Sequence, residues 1–509
     1  MTQMHLKIKN HINGEWLDES NGHYVPLFNP STGAVIGEVP MSSADTARQA
    51  VAAAAAAFPA WSATPLPKRM NYLFALHQAM KDNLEDLAQS IAIDQAKHIS
   101  EARGEVGRVI EIIQMACSIP ALIQGETLQG IAANINGRVI KAPLGVFCGV
   151  APFNFPALVF GWFIPFAIGT GNTFVYKPST ESPLFMQKMM AILVGIGLPK
   201  GVVNVIHGEK DTVEAWYDDP KVAGVCLVGS SPTARAIAEG CGRHGKKTML
   251  LGGAKNFLLA MEDAPMDLLI ENVIASGYGS AGQRCLAVSN IAVVPEIHDE
   301  FVERLIEAAR TVKVGDAMNP DVFMGPVISA RARDRISNYI VIGVDEGANL
   351  VLDGRNPAMP KANADGYFVA PTIFTGVTPD MRIAKEEIFG PVLSVMKVGC
   401  INTGLATLNA HELGNGACIF TQNAYYIEKF IAEANVGMVG VNVGICAPHP
   451  YLPFGGIKGS LVGSNKVQGK NGIDFFTQNK VATIRTVDPA GQVPTAGAAN
   501  GSVRSCVAS

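Results

Sequence analysis

The sequence has little with which to hold a metal, a disulfide framework or a nucleic acid. Its nine cysteines stand at positions 117, 148, 226, 241, 285, 400, 418, 446 and 506, with no CxxC pair and no histidine cluster at metal-ligand spacing. An odd count without framework spacing excludes a disulfide scaffold and points to a reducing, cytoplasmic setting with few reactive thiols. Charged residues are only 17% of the chain and sum to −4, with a pI near 6.2. No basic surplus therefore recommends nucleic acid or an anionic membrane as partner. Met1 to Lys7 is not followed by the apolar stretch and small-residue cleavage site of a secretory signal. The most apolar long stretch, Ala151 to Val175, is broken by Asn154, Asn172, three glycines and three prolines. A membrane helix needs about 20 predominantly apolar residues, so this stretch reads as buried strand, turn and helix. Repeats of about 20–50 residues are absent, and so is a GxGxxG fingerprint after any strand.

What remains is a chain of 509 residues, 48% hydrophobic and rich in glycine, with 52. That length implies roughly two or three domains, and the composition has a soluble-globular balance rather than a disordered one. His11 to Trp16 and Phe28 to Gly33 read as short strands broken by Asn-Gly and Pro-Ser-Thr-Gly turns. Helices are expected from Ser43 to Phe58, stopping at Pro59, then from Pro67 to Asp94 and from Ser100 to Ser118. Asn136-Gly137, set between apolar alternations from Leu128 to Val150, signals a β-hairpin. From Val146 onward the pattern becomes strand, turn, helix, repeated. Val146–Val150, Asn172–Tyr176, Val202–His207, Gly224–Val228 and Lys247–Leu251 are the expected strands. Such alternation predicts an α/β fold with a doubly wound parallel sheet. A second α/β region with strands near Ile291–Val294 and Val392–Met396 follows Gly279. The tail from Asp488, rich in Ala, Gly and Ser, has little to bury and is expected to be disordered.

Chemistry concentrates at a few points. Cys285 lies among small residues and beside Arg284, a setting in which a thiol can attack a carbonyl carbon. Asn154, on the Pro-bounded loop Pro152-Phe-Asn-Phe-Pro156, can offer a side-chain amide to a developing oxyanion. Lys177 ends a strand in Lys177-Pro-Ser-Thr180 and can reach a ribose or phosphate. Gly208 and Gly229-Ser230 follow apolar strands, where a pyrophosphate can approach a helix start. Glu387 and Phe389 share a face if Glu386-Glu-Ile-Phe-Gly-Pro391 is extended. Each of these alone also has an ordinary structural use, as core thiol, turn or strand end.

Together they resemble the aldehyde dehydrogenase superfamily. Six pieces fall in the order of that family: Phe28 to Gly33, Pro152 to Pro156, Lys177 to Ser179, Gly282-Gln-Arg-Cys285, Glu387 to Pro391 and Pro453-Phe-Gly-Gly456. The resemblance runs from about His11 to Arg485. It implies an oligomeric enzyme with a dinucleotide-binding domain at 8–127 and 142–255, a catalytic domain at 256–469 and a β-hairpin oligomerisation extension at 128–141 and 470–487. By the same resemblance Cys285 is the nucleophile, and Asn154 forms the oxyanion hole with the Cys285 N–H. Lys177 and Glu387 then hold ribose hydroxyls of a nicotinamide dinucleotide. Phe153, Ser179, Thr180, Gly208, Gly229, Ser230 and Phe389 complete its site, and no metal is expected.

The base that activates water in hydrolytic members opens a Glu-Leu-Gly-Gly-Lys motif. Here the matching stretch is Leu251-Gly-Gly-Ala-Lys255, and leucine takes no proton. No Asp or Glu occurs from Ile457 to Ile473 either. This is similar to the coenzyme A-acylating, (methyl)malonate-semialdehyde branch of the family, with Gly201 to Gly208 and Phe475 to Lys480 as further matches. That branch implies a substrate carboxylate held by two arginines, matched by Arg108 and Arg284. It also implies coenzyme A as co-substrate, with CO2 and acetyl- or propionyl-coenzyme A as products. Thr180 stands where many NAD-dependent members have Glu, with Glu181 displaced by one, so NADP stays open beside NAD. Cys446 and His449, in the block from Gly444 to Pro453, are candidate substrate contacts. A hydrolytic enzyme releasing a free acid, and a silent member used for binding, are the alternatives. The hairpin and the strand Ile473–Ile484 would leave unpaired edges in a monomer, so a homodimer or homotetramer is expected.

Overall fold

The computed structural model describes residues 5–487. The expected tail from 488 lies outside the described residues. Two large sheets organise the rest. The first has eight strands in the order Leu461–Val462, Lys247–Leu251, Val222–Val228, Val146–Val150, Thr173–Lys177, Val203–Val205, Asn10–Ile12 and Glu15–Leu17. Its five inner strands, from Lys247–Leu251 to Val203–Val205, are parallel, while both edges are antiparallel. The parallel part begins at Val146–Val150 and winds first towards Val203–Val205, then back past its starting strand to Val222–Val228. The order therefore reverses beside Val146–Val150, and the loops leaving the strand C-termini splay apart there to form a crevice.

The second sheet has seven strands, Asn349–Leu352, Thr372–Thr375, Val392–Lys397, Val288–Val293, Asn256–Ala260, Gly416–Phe420 and Met438–Val441. All are parallel except the first. Parallel strands buried on both faces read as continuous apolar runs, and Asn256–Ala260 and Gly416–Phe420 are buried throughout. A third, antiparallel sheet joins Thr127–Ala132, Ile135–Pro143 and Thr477–Arg485. Its residues Leu128, Ile140 and Val481 stay exposed. Among the described residues no helix is long and apolar enough to cross a membrane.

Several expectations shift. The first helix runs Ala44–Ala63, straight through Pro59. Trp61 explains the extension: it is buried and its indole N–H donates to the Ile168 carbonyl at 3.1 Å, and this docking outweighs the missing Pro59 donor. The expected helix from Pro67 to Asp94 is two helices, Leu66–Asp82 and Leu84–Asp94, meeting at Asn83. The hairpin turn falls at Asn134, with φ 63°, and not at Asn136-Gly137. Asn136 and Gly137 instead pair with Ile484 and Thr483 in a nine-residue ladder that fixes the register. Ile473 belongs to the short helix Gly469–Phe475, so the last strand starts only at Thr477. The Asn13-Gly14 turn does form, with φ 53° and 80°, the pair a two-residue hairpin demands.

Candidate active site

The C-terminal ends of the first sheet face the N-terminal ends of the second across a cavity of about 540 Å³. From the first sheet come Pro152, Phe153 and Asn154 after Val146–Val150, Gly229 and Ser230 after Val222–Val228, and Gly252 and Gly253 after Lys247–Leu251. From the second come Gln283 and Cys285 before Val288–Val293, with Glu387 and Phe389 before Val392–Lys397. A second cavity of about 500 Å³ shares Glu181, Ile328, Ser329 and Arg331 with it and adds Lys177, Ser179, Thr180, Gly208 and Glu209.

The Cys285 loop is held under backbone strain. Ser280 and Ala281 adopt left-handed φ values of 51° and 52°, and Gly282 follows at 69°. Each left-handed non-glycine residue costs about 1–2 kcal/mol, and such strain persists only where the surroundings over-determine it. A side chain at Gly282 would meet the Gly390 carbonyl oxygen at 2.3 Å, so that position must be glycine. Two amides fix the carbonyl of Cys285: Asn256 Nδ2 donates to it at 3.0 Å and Asn415 Nδ2 at 2.8 Å. Cys285 keeps part of its surface open to the cavity. Burial, with Glu387 adding to it, pushes its thiol up to about 12.

Asn154 is buried, and its Nδ2 donates to Gln283 O at 3.0 Å. Behind it Lys97 Nζ donates to Asn154 O at 2.7 Å and to Glu105 Oε2 at 2.5 Å. Glu387 crosses to the first sheet, where Oε1 accepts the Ala254 N–H at 2.9 Å. Burial raises its carboxyl above the ordinary range. Phe389 is not extended, having φ 56°. It nonetheless reaches the cavity and meets Phe153 edge to face, centroids 5.8 Å apart.

These residues fit a nicotinamide dinucleotide. Lys177 Nζ is buried and finds only the Pro178 carbonyl, at 3.2 Å. Burial brings its ammonium down to about 8. A buried cation with a single neutral acceptor is matched by the hydroxyls or phosphates of a ligand. Ser230 caps the helix Ser231–Gly242, whose N-terminus opens on the cavity as an anion site. Lys255 is likewise buried without a partner, its ammonium lowered to about 7 by burial.

The structure thus brings Cys285, Asn154, Phe153, Gly229, Ser230, Glu387 and Phe389 to one cavity and Lys177, Ser179, Thr180 and Gly208 to the adjoining one. Arg108 and Arg284 are not on the wall of the Cys285 cavity. Arg284 turns away beneath Gly279, donates to Ala275 O and pairs with Glu101. Arg108 pairs with Glu111 on the open face of its helix, at 2.7 Å. Cys446 and His449 also lie off that wall, and His449 stacks on Tyr451. Leu251 is 4% exposed and packs into the core. Sequence reasoning gave no role to Lys97, Glu105, Glu101 or Asn415, which no local motif marks, nor to Gln283, which it read only as part of Gly282-Gln-Arg-Cys285. Among the described residues no group of three or more His, Cys, Asp or Glu side chains could hold a metal ion.

Comparison with known proteins shows the family of this fold. The aldehyde dehydrogenase family profile matches residues 16–482. A malonate-semialdehyde dehydrogenase of Bacillus velezensis is 41% identical over 483 residues, covering 95% of this chain and 98% of that protein. The corresponding enzyme of Halalkalibacterium halodurans is 40% identical over 479 residues, covering 94% and 98%. Among solved structures, methylmalonate-semialdehyde dehydrogenase from Oceanimonas doudoroffii superposes with a TM-score of 0.93 at 36% identity, covering 95% of this chain and 99% of its own. A Sinorhizobium meliloti protein solved with NAD gives a TM-score of 0.94 at 35% identity, covering 96% and 99%. With its cysteine, amide and dinucleotide cradle placed on this fold, the chain belongs to the aldehyde dehydrogenase family and is an NAD(P)-dependent aldehyde-oxidising enzyme.

Proposed function

We propose that the enzyme oxidises malonate semialdehyde or methylmalonate semialdehyde and passes the acyl group to coenzyme A. The observation that carries this reading is Leu251. It occupies the end of the strand Lys247–Leu251, where a water-activating carboxylate would stand, and it is buried in the core. Of the two carboxylates on the cavity wall, Glu181 lies at the junction with the adjoining cavity and Glu387 is tied to the Ala254 N–H. The semialdehyde assignment rests on the relatives of that name; Arg108 and Arg284, expected to hold its carboxylate, are paired with Glu111 and Glu101 off the cavity wall and do not add to it.

Cys285 Sγ attacks the aldehyde carbon, and the new oxyanion is met by the Asn154 side-chain amide and the Cys285 N–H. Lys177, Ser230 and Glu387 would hold the dinucleotide. When bound, its oxidised nicotinamide supplies the hydride acceptor and a positive charge that favours the thiolate. Loss of hydride leaves a thioester on Cys285. A carboxylate β to that carbonyl departs as CO2, its electrons passing into an enolate that solvent protonates. The thiol of coenzyme A then displaces the acetyl or propionyl group and frees Cys285. Leu251 cannot deprotonate water, so the thioester waits for the better nucleophile.

The test is NADH formation from malonate semialdehyde with and without coenzyme A, the products followed by mass. Strong dependence on coenzyme A with an acyl-coenzyme A product is expected. Equal turnover to a free acid without it would overturn the acylating reading and favour the hydrolytic one. The exposed Leu128, Ile140 and Val481 on the three-stranded sheet support pairing with a second copy into a homodimer or homotetramer. Light scattering in solution, returning a monomer mass, would refute that.

A further inference from the structure

Lys97 and Glu105 form a fully buried ion pair, each side chain 1% exposed, that the reaction as described does not use. Placing two charges in the interior is costly unless each is well paired and hydrogen-bonded. Here every partner belongs to the turn that carries Asn154. Lys97 Nζ donates to Asn154 O at 2.7 Å and sits over the Phe155 ring, 3.8 Å from its centroid. Glu105 Oε1 accepts from the Ala157 N–H at 2.8 Å and the Leu158 N–H at 3.0 Å, the first turn of the helix Pro156–Gly169. The pair thus grips the turn at 154 and at 157–158, on both sides of Pro156. Lys97 is itself locked: Ala96 before it is forced to φ 59°, and the Lys97 N–H donates to Gln95 Oε1 at 3.0 Å.

We propose that Lys97, with Glu105, is a positioning residue for catalysis: it fixes the Asn154 backbone so that the side-chain amide stays aimed into the Cys285 cavity. This rests on the reading of Asn154 as the oxyanion donor. Burial lowers the Lys97 ammonium while Glu105 holds it up, which accords with a charge kept inside for a geometric purpose. The orientation of a donor matters because an error near 1 Å at a reacting centre costs about a hundredfold in rate.

The test is a double-mutant cycle on the full-length enzyme with Lys97→Met and Asn154→Ala, read by kcat and by cofactor affinity from fluorescence titration. Lys97→Met is expected to lower kcat about tenfold to a hundredfold, with the Kd for NAD changed less than about threefold. In the Asn154→Ala background the same change is expected to cost less than about threefold, because nothing remains to be aimed. Equal losses from Lys97→Met in both backgrounds would overturn the positioning role. If Asn154→Ala alone leaves kcat intact, it is the oxyanion reading that fails, and the proposal falls with it. Should Lys97→Met fail to fold through the unpaired Glu105, Lys97→Met/Glu105→Gln removes both charges and enters the same cycle. If that variant also fails to fold, the pair serves stability and the proposal is overturned.

Discussion

The Asn154 side chain donates to the Gln283 carbonyl at 3.0 Å across 129 residues of sequence. That bond ties a loop leaving the first sheet to the strained loop that carries Cys285 in front of the second. The tie reaches the Cys285 loop two residues before the thiol and holds the Asn154 side chain against that loop.

Such a cavity keeps the free thiol protonated. Burial pushes Cys285 up to about 12, so the thiolate fraction at neutral pH is small. Below that value the fraction rises about tenfold per pH unit. Alkylation of the cofactor-free enzyme by iodoacetamide should climb steadily from pH 7 to 10, and NAD should accelerate it at pH 7. A plateau below pH 9 would show that burial does not govern this thiol.

Lys177 is buried with one weak acceptor, so removing it costs the folded chain little. Lys177→Ala should leave the melting temperature of the cofactor-free protein unchanged or raised. It should raise the KM for NAD by about 10- to 100-fold, the loss of one charge-assisted hydrogen bond. An unaltered KM would remove Lys177 from the cofactor site.

Leu251→Glu places a carboxylate where the acylating reading needs none. Free acid formed without coenzyme A should rise at least about tenfold. The melting temperature should fall, because the side chain leaves the core for a charged group. Product analysis by mass decides: no gain in free acid would mean that Leu251 does not control the fate of the thioester.

Arg284 and Glu101 are 16% and 19% exposed in their ion pair. Arg284→Leu should destabilise the enzyme by about 2–3 kcal/mol, somewhat below the 3–5 kcal/mol of a fully buried pair. Urea unfolding measures it. Kinetics add the second reading: if Arg284 also turns to the substrate carboxylate, kcat/KM for malonate semialdehyde falls relative to a neutral aldehyde. An equal fall for both would confine it to structure.

Short-range patterns were legible where local chemistry decides the outcome. Val146–Val150 and Lys247–Leu251 appear as expected because apolar runs between turns have few alternatives. Helix ends and the hairpin turn were less legible. The indole bond of Trp61 carries a helix past Pro59, and the ladder with Thr477–Arg485 moves the turn from Asn136-Gly137 to Asn134. Both effects come from residues more than a hundred positions away.

The sequence by itself determined the reactive groups: a thiol at 285, an amide at 154, a lysine at 177, and leucine where a base would be. These identities are chemical and survive any fold. Only the tertiary structure decided their relations. It turned Arg284 onto Glu101, placed Lys97 and Glu105 behind Asn154, and clasped the Cys285 carbonyl between Asn256 and Asn415. Those contacts join segments far apart in the chain, so their energies depend on packing that no window of sequence contains.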